Sequence, residues 1–229
     1  MLVQPWAPVD ALRGLTRSEK KNAPEALYTA GNRALIRQNP RIAIVGSRKP
    51  SSEGEEQAFA LARWIAEHDG IVVSGLAEGV DAAAHNGALA AANGGTIAVL
   101  GTPLHEYYPR KNRDLQDRLM REQLVVSQFG ERSVGPKGFV MRNRTMALIS
   151  HATVIIEAGE KSGTKHQGWE ALRLHRMLYL PKKLVESGYS WPLEMMQYGA
   201  EAYESLEHLQ ELLSIDYALA GLVESEPAG

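Results

Sequence analysis

The sequence predicts an α/β protein with a mostly parallel sheet covered by helices on both faces. Short apolar runs, rich in β-branched residues, alternate along the chain with segments of helical periodicity. The runs are continuously apolar, which is typical of strands buried on both faces of a parallel sheet. Glycine-centred turns directly follow several of the runs. The predicted core strands are Arg41–Val45, Ile71–Val73, Thr96–Leu100, Leu124–Val126, Val154–Ile156 and Met177–Leu180.

Apolar spacing and capping residues predict the helices between these strands. Ser52 and Glu55 have capping-box spacing at the start of the first long helix. The next helix is expected to end before the turn-forming Asn93-Gly94-Gly95. Pro181 stops the last core strand, and residues 183–200 are expected to be irregular. The predicted helices cover residues 52–68, 80–92, 113–122, 142–150, 164–175 and 204–213, with a helical turn at residues 11–15.

Composition divides the chain into three segments. Residues 1–40 are expected to be a short N-terminal extension, residues 41–200 the α/β core, and residues 201–229 an acidic C-terminal helix and tail. The last segment has seven acidic side chains and neither Lys nor Arg, whereas residues 1–200 carry all 25 basic side chains and the other 20 of the 27 acidic ones. The core therefore suits an anionic ligand. The acidic segment is either a solvated helix or a surface for a different partner.

The chain has no cysteine, which excludes disulfides and thiolate metal sites. No apolar run approaches the roughly 20 residues that a membrane span needs. The N-terminus lacks the charged and apolar regions of a secretory signal. We expect a cytoplasmic protein that does not enter a membrane and holds neither a metal nor a cofactor.

The first glycine turn, Gly46-Ser47-Arg48, follows a predicted strand and precedes a helix. Backbone N–H groups at such a turn attract phosphate. The turn lacks the second glycine of the dinucleotide fingerprint, because Arg48 occupies that place, and no P-loop Gly-Lys-Ser/Thr string occurs. Arg48 suits bidentate phosphate contact, and an ordinary exposed loop arginine is an equally good interpretation.

The second turn contains Ser74, Gly75 and Gly79, and Asp81 and His85 follow it in a predicted helix. Side chains four residues apart share one helix face. The pair could therefore act as an acid and a base or form part of a metal site. We favour a structural role, in which they fix the loop by hydrogen bonds, because no third metal ligand has a suitable spacing.

A third cluster combines several cations, an amide and an aromatic ring near a helix start. Single-stranded nucleic acid needs charge for its phosphates and a ring face for its bases. The alternative is a solvated helix start with the ring in the core. The cluster consists of Lys137, Phe139, Arg142, Asn143 and Arg144.

A fourth cluster surrounds the turn after the strand at Val154–Ile156. Ser162-Gly163-Thr164 is a candidate anion nest at a helix start. Glu157 could contact a ribose or a base, act as a general base, or simply fix the loop. Glu170 lies in the helix that follows.

In order and spacing, these segments resemble the DprA/Smf family, the DNA-processing proteins of bacterial transformation. The resemblance covers about residues 24–210. The matching strings are Pro24–Asn32, Ala43–Arg48, Ser74–Ala77 with Gly79, Asp81 and His85, Ala98–Gly101, Tyr108-Pro109 with Asn112, Arg142–Arg144, Glu157-Ala158 and Ser162-Gly163.

The chain also departs from the family pattern. Gln167-Gly168 stands in place of a Thr-Ala pair, and Arg173–Arg176 in place of a Glu-x-Gly-Arg string. Pro181-Lys182 stands in place of a Pro-Gly pair. We expect a divergent short form without the helical and winged-helix domains that often flank the family's core.

The resemblance implies an extended Rossmann-like fold, single-stranded DNA binding, homodimerisation and loading of a RecA-type recombinase, without an established catalytic activity. It implies that DNA phosphates and bases meet Arg48, Lys137, Phe139, Arg142 and Arg144. It further implies that the same pocket is shaped by Gly46, Ser47, Ser74, Gly75, Asn112, Asn143, Ser162 and Gly163.

Two alternatives concern a single nucleotide instead of a strand. One is a nucleotide-sensing module. The other is an enzyme similar to the phosphoribohydrolases, which cleave the base from a nucleoside monophosphate and carry a Pro-Gly-Gly-x-Gly-Thr-x-x-Glu string. Ser162-Gly163-Thr164 with Glu170 only partly matches that string, and its Pro-Gly-Gly is absent.

Overall fold

A computed structural model of the chain describes residues 5–12 and 15–214. Within that part, eight strands form one sheet. The strands are β1 (Tyr28–Gly31), β2 (Arg41–Val45), β3 (Ile71–Ser74), β4 (Gly95–Leu100), β5 (Leu124–Ser127), β6 (Ala152–Ile155), β7 (Met177–Pro181) and β8 (Glu201–Tyr203). Their order is β1-β5-β4-β3-β2-β6-β7-β8, and every neighbouring pair is parallel except β1 with β5.

Helices cover both faces of the sheet. They are α1 (Pro8–Ala11), α2 (Arg17–Asn22), α3 (Ser52–Glu67), α4 (Val80–Ala90), α5 (Arg113–Glu122), α6 (Lys137–Ile149), α7 (Thr164–Arg173), α8 (Lys182–Val185) and α9 (Ser190–Gln197). Residues 206–214 are also helical, and short 3₁₀ turns occupy Arg33–Arg37 and Arg110–Asn112. In the described ranges, no helix has the length and apolar character needed to cross a membrane.

The central strand β2 divides the apolar core between the two faces of the sheet. Ala43 and Val45 point to the face covered by α6 and α9, whereas Ile42 and Ile44 point to the face covered by α3 and α4. All five residues of β2 are buried. This is why the sequence of the strand is apolar without alternation.

The order of the strands reverses beside β2. The chain places β3, β4 and β5 on one side of β2, and then returns to place β6, β7 and β8 on the other. The loops that leave β2 and β6 therefore diverge at the carboxyl edge, above opposite faces of the sheet. Such a reversal opens the crevice in which ligands of parallel α/β proteins bind.

The structure confirms the predicted α/β fold with its mostly parallel sheet and adds elements at the two edges. Edge strands β1 and β8 come from the segments before residue 41 and after residue 200, so the expected boundaries fall inside one sheet. The expectation that residues 183–200 are irregular is wrong, because most of α8 and all of α9 lie there. Helix α6 begins at Lys137, five residues before its predicted start. The first described helix is Pro8–Ala11. The helical turn predicted at residues 11–15 falls partly outside the described ranges, and residues 215–229 of the acidic segment lie outside them entirely.

Candidate functional site

A crevice of about 530 Å³ opens at the carboxyl edge, where the loops after β2 and β6 diverge. Helix α6 forms its third wall. The crevice brings together nine of the fourteen residues that the sequence suggested for phosphate or DNA contact. They are Gly46, Ser47, Arg48, Phe139, Arg142, Asn143, Ser162, Gly163 and Thr164.

Two hydroxyl groups tie the walls of the crevice together. The Oγ1 atom of Thr164 donates a hydrogen bond to the carbonyl oxygen of Gly46 at 3.1 Å. The Oγ atom of Ser162 donates to Thr164 Oγ1 at 2.8 Å and accepts from the Thr164 backbone N–H at 3.2 Å. These hydroxyls therefore hold the loop after β6 against the loop after β2.

Arg142 lies at the floor of the crevice, where its guanidinium is buried and hydrogen-bonded within the protein. Its Nη1 donates to the carbonyl oxygen of Val99 at 2.9 Å, and its Nε donates to Asn143 Oδ1 at 3.1 Å. The guanidinium lies directly on Gly75, where an added Cβ would come within 1.6 Å of Nη1. Burial lowers the pKa of Arg142, and the nearby Asp81 carboxylate opposes that shift.

Asp81 fixes the turn that carries Gly75. Its Oδ2 accepts hydrogen bonds from the backbone N–H groups of Gly75 at 3.2 Å and Ala77 at 3.3 Å. Burial raises the pKa of Asp81, while Arg142 and the two N–H groups act in the opposite direction. These contacts agree with the structural role favoured for this carboxylate.

His85 is a core residue and bonds Thr96. The distance between its Nδ1 and Thr96 Oγ1 is 2.8 Å. Burial, assisted by the charge of Arg142, lowers the pKa of His85 to about 3. The imidazole is therefore neutral at physiological pH. In the described ranges, no group of three His, Asp or Glu residues is arranged to hold a metal ion.

Asn112 and Ser74, two of the residues suggested for phosphate contact, stabilise the turn that carries Gly75 through hydrogen bonds inside the protein. The Nδ2 group of Asn112 donates to the carbonyl oxygens of Leu76 and Ala77, both at 3.0 Å. The Oγ of Ser74 donates to the Ile44 carbonyl at 2.7 Å. Their polar atoms are thus used inside the protein. Gly75 lines a smaller cavity of about 180 Å³ beside the crevice.

Arg48, Phe139 and Tyr108 form a row at the mouth of the crevice. The guanidinium carbon of Arg48 is 5.8 Å from the centroid of the Phe139 ring. The Tyr108 ring is 4.9 Å from that of Phe139 and 48% of the tyrosine is exposed. Phe139 can lie so near the sheet because Gly101 has no side chain, since a Cβ there would be 2.5 Å from the ring. A cation and two aromatic faces therefore adjoin at the opening.

The family model of DNA recombination-mediator protein A matches residues 12–214. The chain belongs to that family.

DNA processing protein DprA of Bacillus subtilis is 30% identical over 192 residues, which are 83% of this chain and 64% of the Bacillus protein. The X-ray structure of DprA from Streptococcus pneumoniae has a TM-score of 0.77 and 28% identity, over 92% of this chain and 74% of that chain. A structure describing the single-stranded DNA binding mode of DprA from Helicobacter pylori has a TM-score of 0.76 and 25% identity, over 90% of this chain and 95% of that chain. The chain thus spans 64% of the length of its Bacillus relative.

Glu157 and Glu170, the two carboxylates proposed for catalysis in the alternative enzyme, both have partners within the protein. Glu157 accepts from the Ser51 backbone N–H at 3.1 Å and from Ser51 Oγ at 2.6 Å, at the start of α3. Glu170 pairs with Arg144 at 3.4 Å and also with Arg173. Arg144 therefore faces α7 and does not line the crevice.

The crevice is lined by several residues that the sequence did not suggest, and some suggested residues lie outside its lining. Lys49, Lys161 and His166 line it, and the first two could have been indicated by their place next to Arg48 and Ser162 in the sequence. Lys137 is exposed at the first turn of α6 and lies outside the lining. Gln167, where the chain departs from the DprA pattern, is 1% exposed and donates to Thr153 Oγ1 at 3.4 Å.

Proposed function

We propose that this chain binds single-stranded DNA in the crevice and mediates recombination without catalysing a reaction. One observation carries the proposal. The Arg48 guanidinium and the half-buried Phe139 ring adjoin at the open side of the crevice, with 5.8 Å between the guanidinium carbon and the ring centroid. Positive charge beside a stacking face is the combination that single-stranded nucleic acid requires.

The charges of the lining support the same proposal. Arg48, Lys49 and Lys161 are exposed at the crevice, and its described lining contains one carboxylate, the buried Asp81. The exposed cations would neutralise phosphates, whereas the buried Arg142 would hold the floor in shape. The Helicobacter pylori relative, whose structure describes a single-stranded DNA binding mode, covers 90% of this chain.

Replacing Arg48 by alanine should weaken binding of single-stranded DNA about tenfold or more, because a charge-assisted contact to phosphate is lost. The loss should be similar for every base sequence, and the slope of log K against log salt should fall by about 0.7. Fluorescence anisotropy with labelled oligonucleotides at several salt concentrations measures both effects.

Arg63→Ala is the matched control, because Arg63 is exposed on α3 and pairs with Glu67 at 2.7 Å outside the crevice. This control should bind like the wild type. A wild-type dissociation constant no better than about 10⁻⁴ M, or one indifferent to salt, would contradict the proposed function itself.

The proposal includes the absence of catalysis, in contrast to a phosphoribohydrolase-like enzyme. Such an enzyme needs a carboxylate free to act as a general base. Glu157 is engaged by Ser51 and Glu170 by two arginines. We therefore expect no release of free base from nucleoside monophosphates, as followed by chromatography. Release that disappears in Glu157→Gln or Glu170→Gln would establish the enzyme instead.

We further propose a RecA-type recombinase as the partner, a homodimer as the functional unit and the cytoplasm as the location. These proposals rest on membership in the recombination-mediator family. Recombinase filament formation on DNA coated with a single-stranded DNA-binding protein, followed with and without the full chain, tests the partner. Sedimentation equilibrium tests the dimer.

A further inference from the structure

A second, larger concavity continues from the mouth of the crevice across the carboxyl ends of β4 and β5. We name it the outer groove. It measures about 850 Å³ and is lined chiefly by Tyr107, Tyr108, Arg110, Arg113 and Phe139. The two spaces are continuous in their lining, because Phe139 belongs to both and a cavity between them is lined by Arg48, Tyr108 and Phe139.

The outer groove repeats the chemistry of the crevice. Arg110 is exposed, and the side chain of Arg113 is 65% exposed. The guanidinium carbon of Arg113 lies 4.9 Å from the centroid of the Tyr107 ring. Two cations and two tyrosines therefore face the groove, against one carboxylate in its described lining, Glu106.

Its residues are held in position by α5. The hydroxyl of Tyr107 donates to Asp117 Oδ1 at 2.7 Å, and Arg113 Nε is 3.9 Å from Asp117 Oδ2. Tyr107 is thereby held beneath the guanidinium of Arg113. A side-chain pair that is already oriented loses less rotamer freedom when it binds a ligand.

We propose that the outer groove is a second binding segment for the same strand of DNA. A strand leaving the crevice passes over Phe139, stacks a base on the exposed Tyr108 ring, and places later phosphates at Arg110 and Arg113. This inference rests on the proposed function and extends it. It assigns to α5 and the loop before it a part in determining how many nucleotides the protein binds.

The test compares two lengths of oligothymidylate, about 4 and about 16 nucleotides, which span the range of site sizes in single-strand binding proteins. Wild-type protein should bind the longer strand more tightly than the shorter one. The double variant Arg110→Gln/Arg113→Gln should lose about tenfold in affinity for the longer strand and less than about twofold for the shorter one. Its salt slope on the longer strand should fall by about 1.4.

The matched control is Arg118→Gln/Arg121→Gln, which makes the same charge change on α5 but outside the outer groove. It should bind both strands nearly as the wild type does. If the two double variants bind the longer strand with equal affinity, the outer groove is not a second binding segment, and the proposal that the crevice binds DNA is unaffected. Equal weakening on both lengths would also overturn it. Failure of the wild type to bind either strand would instead contradict the proposed function.

Discussion

Gly75→Ala should lower the free energy of unfolding by about 1–3 kcal/mol and weaken binding of single-stranded DNA. The added Cβ would lie 1.6 Å from Nη1 of Arg142, so the guanidinium must move. That guanidinium is buried and donates to Val99, and moving it breaks this bond and pushes a charge into the crevice. Urea unfolding followed by tryptophan fluorescence measures the stability, and anisotropy measures the binding.

Two further variants separate this mechanism from a general effect of alanine. Gly163 lies in the same crevice with no atom within 4 Å of a built Cβ, so Gly163→Ala should change stability by no more than about 0.5 kcal/mol. In an Arg142→Ala background, Gly75→Ala should cost much less than in the wild type, because the clashing group is gone. If Gly75→Ala unfolds and binds like the wild type, the guanidinium is not fixed as described.

The sequence predicts the sheet well because continuous apolar runs such as Arg41–Val45 and Thr96–Leu100 are long enough to identify a buried strand. It does not predict β1 and β8, which are short and pair at the two edges. Glu201–Tyr203 contains one buried residue, so its strand state depends on pairing with β7. The sequence likewise does not predict α9, which follows a turn of polar and aromatic residues. This helix is stabilised by the packing of Trp191 and Met195 in the core.

The candidate site is predictable in its location but not in the role of each side chain. Glycine turns after apolar runs indicate which strand ends meet, and these turns do surround the crevice. The orientation of each side chain depends on contacts between segments that are distant in sequence. Examples are the hydrogen bonds that Arg142 donates to the Val99 carbonyl and Asn112 donates to the Leu76 carbonyl. A glycine in such a turn can be required for close packing of another side chain rather than for phosphate contact. Gly75 and Gly101 admit a guanidinium and an aromatic ring to the sheet.

Acid should destabilise this fold well before its carboxylates are all protonated. Burial is the main cause that lowers the pKa of His85 and of His151 to about 3, with Arg142 adding to the first shift and Arg41 and Arg176 to the second. In the unfolded chain a histidine has a pKa near 6.5. Between these values the unfolded state binds more protons, so stability is full above about pH 6.5 and falls as the pH decreases toward 3.

Near pH 5.5 each of the two histidines should contribute about 1.2 kcal/mol per pH unit to the slope of unfolding free energy against pH. Urea titrations between pH 7 and pH 5.5 give this slope. His85→Gln should remove its share, and His151→Gln should remove a similar share. An unchanged slope in His85→Gln would mean that the imidazole is protonated in the folded state. A histidine that instead follows the expected slope stays a neutral imidazole in the folded protein over this pH range, and it therefore has no imidazolium proton to donate as a general acid. The same titration that measures stability thus also tests whether His85 can act as a general acid.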